Sequence, residues 1–207
     1  MGLVKSTETS TEGRGRGRPE VPGFAEYLLV VYPYGDLQDR LLEVQQHFSS
    51  DYGLDQGPQR MTRNKPHITL AAFQAGEEAE DTLIRWIQRI CLPHRSFDLA
   101  LNNYSGIPPH TICLRVQNPE PLRALIRQLS AIDDYIRSSG WPPVNLIARP
   151  YLSIAGGLTE QVYNKAMPDY SRKTFHGNFR VGELVLLKRR HSFDPCKTIN
   201  VFRLLPD

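Results

Sequence analysis

The sequence predicts an α+β fold built twice, and two observations carry that prediction. The first is a heptapeptide present in two versions. Lys65-Pro66-His67-Ile68-Thr69-Leu70-Ala71 and Arg149-Pro150-Tyr151-Leu152-Ser153-Ile154-Ala155 agree in kind at every position but one: basic, Pro, ring, aliphatic, hydroxyl, aliphatic, Ala. Only His67 against Tyr151 changes the chemistry. The second is the order of elements around each copy: amphipathic helix, motif strand, helix, then strands. The predicted architecture is a duplicated two-lobe fold. Two antiparallel sheets face a central groove, helices lie outside, and an approximate two-fold relates the lobes.

A chain of 207 residues is long enough for one bilobal domain. Its 40% hydrophobic and 23% charged content place it among globular proteins. The net charge of +3 gives little argument for a polyanion by itself. No apolar run approaches the roughly 18 residues that span a membrane, and the longest is Tyr27 to Tyr32. The N-terminus shows no secretory pattern. Cys91, Cys113 and Cys196 lack metal-ligand spacing, and the first two read as small core residues. These features predict a cytoplasmic protein with no membrane contact and no metal; a monomer without a cofactor is the accompanying expectation.

Residues 1–22 read as a disordered leader, and 23–207 as the folded domain. The leader has too few large apolar side chains to offset the entropy of ordering it. Its Gly13-Arg14-Gly15-Arg16-Gly17-Arg18 run resembles a short RNA-binding tail. However, four cations (Lys5, Arg14, Arg16, Arg18) face three anions (Glu8, Glu12, Glu20), so a solvated leader is the simpler reading.

Phe24 to Tyr32 is β-branched and aromatic, reads as a buried strand, and stops at Pro33. Asp36 then caps a helix with Leu37, Leu41, Val44 and Phe48 at helical spacing, ended by Gly53. Residues 54–65 form a loop that brings Arg60, Arg63 and Lys65 up to the first motif. His67 to Phe73 is a strand of period two. His67, Thr69 and Ala71 share one face; Ile68, Leu70 and Ala72 share the other. Glu77 to Cys91 is a helix with Leu83, Ile87 and Ile90 on one stripe. Strands Phe97–Tyr104 and His110–Val116 follow, joined by the Gly106-Ile107-Pro108-Pro109 turn.

In the second half, Leu122, Leu125, Leu129, Ile132 and Ile136 mark one long amphipathic helix, broken at Gly140 and Pro142-Pro143. Tyr151–Ala155 is the second motif strand, and Gly156-Gly157 ends it. Thr159 caps a short helix to about Met167. Phe175–Val181, Glu183–Arg189 and Thr198–Leu204 close the fold as strands.

Two motif strands meeting at a lobe interface present two rings and two hydroxyls across one groove. Were both rings imidazoles, one would take a proton from an attacking hydroxyl and the other would give one to the leaving oxygen. Thr69 and Ser153 would donate hydrogen bonds to phosphoryl oxygens, where charge builds. This is in-line phosphodiester chemistry that needs no metal.

At these residues the sequence resembles the two-histidine (2H) phosphoesterases, the 2'-5' RNA ligase-like family. The signature of that family is two His-x-Thr/Ser motifs on paired strands. Pro66 to Ala71 matches the first motif, and Pro150 to Ala155 matches the second except at its His. The resemblance runs from about Phe24 to Pro206. It includes Pro108-Pro109-His110-Thr111-Ile112 and Leu186-Leu187-Lys188-Arg189, stretches found in a bacterial branch of the family.

The resemblance implies a metal-independent phosphodiesterase or 2'-5' RNA ligase-like protein. Its substrate would be an RNA end or small nucleotide with a phosphodiester or cyclic phosphate. His67, Thr69, Tyr151 and Ser153 are the catalytic candidates. The sequence departs from the pattern at Tyr151 and at Gly157, where many members carry a basic residue that holds phosphate. A tyrosine ordinarily titrates near about 10, which makes it a poor base at neutral pH. The chain therefore reads either as an enzyme with weakened catalysis or as an inactive module that binds a nucleotide or RNA end.

Other residues have more than one reading. Tyr151 contacts the ligand, fills the groove, or acts as general acid. His110 is a substitute catalytic histidine or a strand-entry residue. Lys65 and Arg149 are candidate substrate contacts and, with Arg60, Arg63 and Lys188, a candidate positive rim. Tyr104 and Phe175 stack a base or pack the core. His176 and His191 read as surface residues, and His47 and His94 have no partner pattern.

Overall fold

The computed structural model describes residues 23–54, 65–117, 119–190 and 194–206. The expected disordered leader and the loop cations Arg60 and Arg63 lie outside the described residues. Along the chain come β1 (Phe24–Val31), α1 (Asp36–Asp51), β2 (Ile68–Gly76), α2 (Glu80–Cys91), β3 (Phe97–Ile107) and β4 (Thr111–Val116). They are followed by α3 (Glu120–Gln128), α4 (Ser130–Ser138), β5 (Asn145–Leu146), β6 (Tyr151–Ala155), α5 (Glu160–Arg172), β7 (His176–Val181), β8 (Glu183–Arg189) and β9 (Lys197–Arg203).

Among the described residues the strands form one antiparallel sheet in the order β7-β3-β4-β6-β2-β1-β8-β9, with the short β5 added beside β2. The two motif strands are central neighbours. They pair at one position, Ile68 with Leu152. These two residues occupy the same place in the two heptapeptides, so the approximate two-fold passes between them. Lobe one comprises β2, β1, β8 and β9. Lobe two comprises β6, β4, β3 and β7.

Helices cover one side of this sheet. The helix next to β1 crosses over, so that α1 lies against β6 and β7, while α5 lies against β3 and β4. On lobe one, α2 lies against β9 and packs with α3 and α4. The predicted stripes face inward: Leu83, Ile87 and Ile90 from α2, Leu122 and Leu125 from α3, Ile132 and Ile136 from α4. One continuous core joins them to both sheet halves.

The structure departs from the sequence reading at defined points. Gly35, with φ near 60°, precedes α1 in place of a side-chain cap, and Asp36 enters the first turn, where its charge meets the positive helix end. The long helix expected over 122–136 divides at Leu129, which stays buried between α3 and α4. Helix α5 runs past Met167 and through Pro168 to Arg172. Tyr170 then packs against Phe48 and Tyr104, with ring centroids 5.2 and 5.0 Å away, and this burial offsets the hydrogen bond that proline cannot make. Thr159 caps α5 as expected, accepting from the Val162 N–H at 3.4 Å.

The most consequential departure is in the motif strands. Leu29 pairs with Ala71 and Val30 with Thr69, which leaves Leu70 as an extra residue in β2. Ile112 pairs with Ala155 and Cys113 with Ser153, which leaves Ile154 extra in β6. Both copies thus carry a β-bulge at the same place. The bulge shifts the alternation, so Ala71 enters the core and Ala72 turns to the open face, the reverse of the strict period-two reading.

Ile68 and Leu152 are fully buried at the seam. Ile68→Ala and Leu152→Ala should each cost about 2–5 kcal/mol. Because the two touch across the seam, the double variant should depart from the sum of the singles. Urea denaturation of the four proteins of this cycle measures both effects.

Candidate active site

The Ile68–Leu152 pair fixes the register of the groove. Continuing that register by one residue puts His67 opposite Ser153 and Thr69 opposite Tyr151. All four side chains project to the face away from the helices. His67 and Tyr151 sit on the long diagonal of this quartet, about 7–8 Å apart at the backbone in a regular antiparallel pair. The sequence-predicted catalytic candidates are therefore brought together, with each ring beside the hydroxyl of the other copy.

His67 is held from its own strand entry. Its Nδ1 lies 2.9 Å from the Lys65 carbonyl oxygen. A carbonyl only accepts, so Nδ1 carries the hydrogen and, in the neutral ring, Nε2 keeps its lone pair. The Tyr32 ring meets the imidazole edge-on at 5.9 Å, and Lys65 Nζ stands 4.5 Å from the centre of the Tyr32 ring. Burial pushes the His67 pKa below its ordinary 6.5, and the hydrogen bond to Lys65 opposes that shift without cancelling it. The ring is thus a neutral acceptor at pH 7.

The second copy has different neighbours. Tyr151 is 36% exposed and pairs across the ladder with Arg115 of β4. The two-fold carries Arg115 onto Tyr32. One ring of the quartet therefore leans on an aromatic residue and the other on a cation. The Ser153 carbonyl accepts from Gln45 Nε2 of α1 at 3.1 Å, which ties the crossing helix to the motif strand. Cys113, also paired with Ser153, faces the groove rather than the main core. Burial pushes its thiol up to about 11, which keeps it protonated.

The remaining candidates are placed differently. His110 lies in the turn before β4. It donates from Nδ1 to the Leu158 carbonyl at 3.2 Å, while its own carbonyl accepts from the Leu158 N–H at 3.0 Å. That clamp pins it beyond the Ser153 end of the quartet, outside the row of the four side chains. Lys65 is exposed at the same end, and Arg149 is exposed in the bend between β5 and β6. Lys188 leaves the proposed rim altogether, because it points to the helix side and pairs with Glu77 at 3.0 Å and Glu80 at 2.7 Å. Tyr104 and Phe175 pack in the core with their centroids 6.2 Å apart. Gly157 has φ of +66°, a conformation that disfavours any residue with a Cβ.

Three groove residues escaped the sequence reading. Tyr32 was visible only as the end of a strand. Arg115 had no motif around it. Thr111 stands within the family-like Pro108–Ile112 stretch; a Cβ on Gly156 would lie 3.8 Å from its Oγ1 and 3.4 Å from Ser153 Oγ, so the two hydroxyls approach the same glycine.

A family model for the 2'-5' RNA ligase superfamily matches residues 37–192. The chain belongs to that superfamily. Its fold is shared with E. coli LigT, solved with 3'-AMP, at a TM-score of 0.60 and 16% identity, covering 88% of this chain and 98% of LigT. The protein TT0787 of Thermus thermophilus superposes with a TM-score of 0.54 at 16% identity, covering 88% of this chain and 99% of that one. A crystal structure described as a phosphoesterase gives 0.55 at 16% identity, covering 89% of this chain and 99% of its own. A sequence comparison with curated proteins finds no match.

The environment of His67 has a measurable signature. In nitrogen-15 NMR its neutral ring should show the Nδ1–H tautomer, and it should titrate below 6.5. Since the unfolded chain protonates first, stability should fall as pH drops from 6.5 towards the folded value. His67→Gln should remove that slope.

Proposed function

We propose that this protein is a metal-independent phosphodiesterase acting on RNA 2',5'-linkages or cyclic nucleotide phosphates, with chemistry slowed by Tyr151. The observation that supports this reading is the single Ile68–Leu152 pair, which sets two rings and two hydroxyls around one point.

In this reading a phosphoryl group sits over the quartet. Thr69 and Ser153 donate hydrogen bonds to its non-bridging oxygens. His67 Nε2 takes the proton from the attacking water or ribose hydroxyl as the new P–O bond forms. On the opposite diagonal the old P–O bond breaks, and the Tyr151 hydroxyl donates to the departing oxygen. The diagonal satisfies the in-line requirement, because attacking and leaving oxygens lie on opposite sides of phosphorus. A phenol gives up its proton less readily than an imidazolium, so the leaving-group step carries the penalty.

The second reading is a module that binds an RNA end or nucleotide without turnover. Tyr151 and the left-handed Gly157 favour it, since the family's second histidine and its following basic residue are both missing. In both readings the groove takes a nucleoside phosphate, and the LigT complex with 3'-AMP supports that ligand as a probe.

Turnover of a 2',3'-cyclic nucleotide and of a 2',5'-linked dinucleotide separates the two. If the enzyme reading holds, His67→Ala abolishes turnover, and Tyr151→His raises it by roughly 100- to 10,000-fold. Binding of 3'-AMP with no turnover, even in Tyr151→His, establishes the module. The pH profile is a further check. With one imidazole in the quartet, wild-type rate should rise through the depressed His67 pKa below 6.5. It should then stay level to pH 8, whereas Tyr151→His should turn down on the alkaline side.

A further inference from the structure

On the open face of the sheet, the row of side chains that passes through Thr69 and Tyr151 is polar on lobe two and apolar on lobe one. Directly paired residues of an antiparallel ladder project to the same face, so a row of side chains can be followed outward from the quartet. Across lobe two it runs from Tyr151 to Arg115, from Arg115 to Asn102, and from Asn102 to His176 on the edge strand. His176 donates from Nδ1 to Asn102 Oδ1 at 3.1 Å, which confirms that these two stand side by side. Across lobe one the same row runs from Thr69 to Val30, Val185 and Val201. Val30, Val185 and Leu187 are buried there in a second apolar cluster, with Leu28, Tyr32 and Cys196 packed against it.

A phosphate-bearing chain that follows this row outward from the quartet thus meets hydrogen-bonding groups toward lobe two and an apolar row toward lobe one. The polar row from Tyr151 to His176 spans three inter-strand steps, about 14 Å. Arg115 is its only arginine or lysine and is exposed. No described carboxylate forms an ion pair with it. The acidic residue on lobe two's part of this face, Asp98, lies at the far end of β3 beside Arg180, 3.8 Å away. A guanidinium presents a fork of donors that fits phosphate oxygens.

We propose that single-stranded RNA leaves the groove across lobe two, with Arg115 holding the phosphate that follows the one seated on the quartet. This rests on the quartet being a phosphate site. It adds a polarity to that site: the substrate is an oligoribonucleotide laid over β4, β3 and β7, and lobe one receives only the terminal nucleotide.

The test compares two probes on the full chain: 3'-AMP by calorimetry, and a labelled oligoribonucleotide bearing a 3'-phosphate by fluorescence anisotropy. Arg115→Gln should weaken the oligoribonucleotide roughly tenfold or more relative to any change in 3'-AMP, the size expected for a hydrogen bond to a charged group. The slope of log affinity against log salt should fall by about 0.7 for the oligoribonucleotide, the loss of one phosphate contact on a single strand. Arg115→Lys should retain that slope. Equal loss for both probes would assign Arg115 to the reacting phosphate and overturn the track. So would an unchanged oligoribonucleotide affinity. Wild-type protein that binds neither probe would overturn the phosphate site itself, a result distinct from failure of the track alone.

Discussion

The Ile68–Leu152 pair is the contact on which the site depends. It is the one place where the two motif strands share a ladder, and it lies where the two-fold passes. Every cross-strand relation in the groove follows from its register. A slip of one residue would turn the four groove side chains into the core and bring Ile68 and Leu152 out. The burial of both residues therefore holds the four groove side chains in register as well as the lobes together. The matched bulges at Leu70 and Ile154 complete this arrangement. They bend each strand just past the quartet, so the sheet halves diverge and leave a groove instead of a flat surface.

The duplicated scaffold has been filled asymmetrically. Equivalent positions hold His67 and Tyr151, and beside them Tyr32 and Arg115. The His67 half is sheltered by an aromatic ring, which favours a neutral imidazole. The Tyr151 half is open and cationic, and its row continues as polar side chains to the sheet edge. In a symmetric site, acid and base are assigned by whichever ring happens to be protonated. Here the neighbours make the two halves electrostatically unlike, because one environment disfavours charge and the other supplies it. Tyr151 thus stands in the half that carries the exposed guanidinium of Arg115.

The helix exchange ties the two halves together beyond so small a seam. With α1 crossing from lobe one to lie on β6 and β7, neither sheet half has a core of its own. Gln45 of α1 also bonds the Ser153 carbonyl, so the second motif strand is anchored by a helix that belongs, in sequence, to the first half. The core is continuous across the two-fold for the same reason. The open face has no such support, and among the described residues its apolar cluster is confined to lobe one.

Much of this was legible in the chain. The paired heptapeptides gave the duplication, the motif strands and the four groove residues, because those depend on local alternation of ring, aliphatic and hydroxyl. The helical stripes of α2, α3 and α4 were legible for the same reason. Three things were not. The bulges were hidden, since an extra residue is defined only by the partner strand it fails to match, and so Ala71 and Ala72 were assigned to the wrong faces. Lys188 could not be separated from a phosphate rim until its carboxylate partners on the first turn before and within α2 were placed beside it. Arg115 and Tyr32 carry no local signature, and their position beside the rings exists only in the ladder. The sequence by itself thus determined which residues could do chemistry, through their types and periodicity. The tertiary structure alone decided which of them face one another, because strand register and sheet curvature are relations between segments distant in sequence.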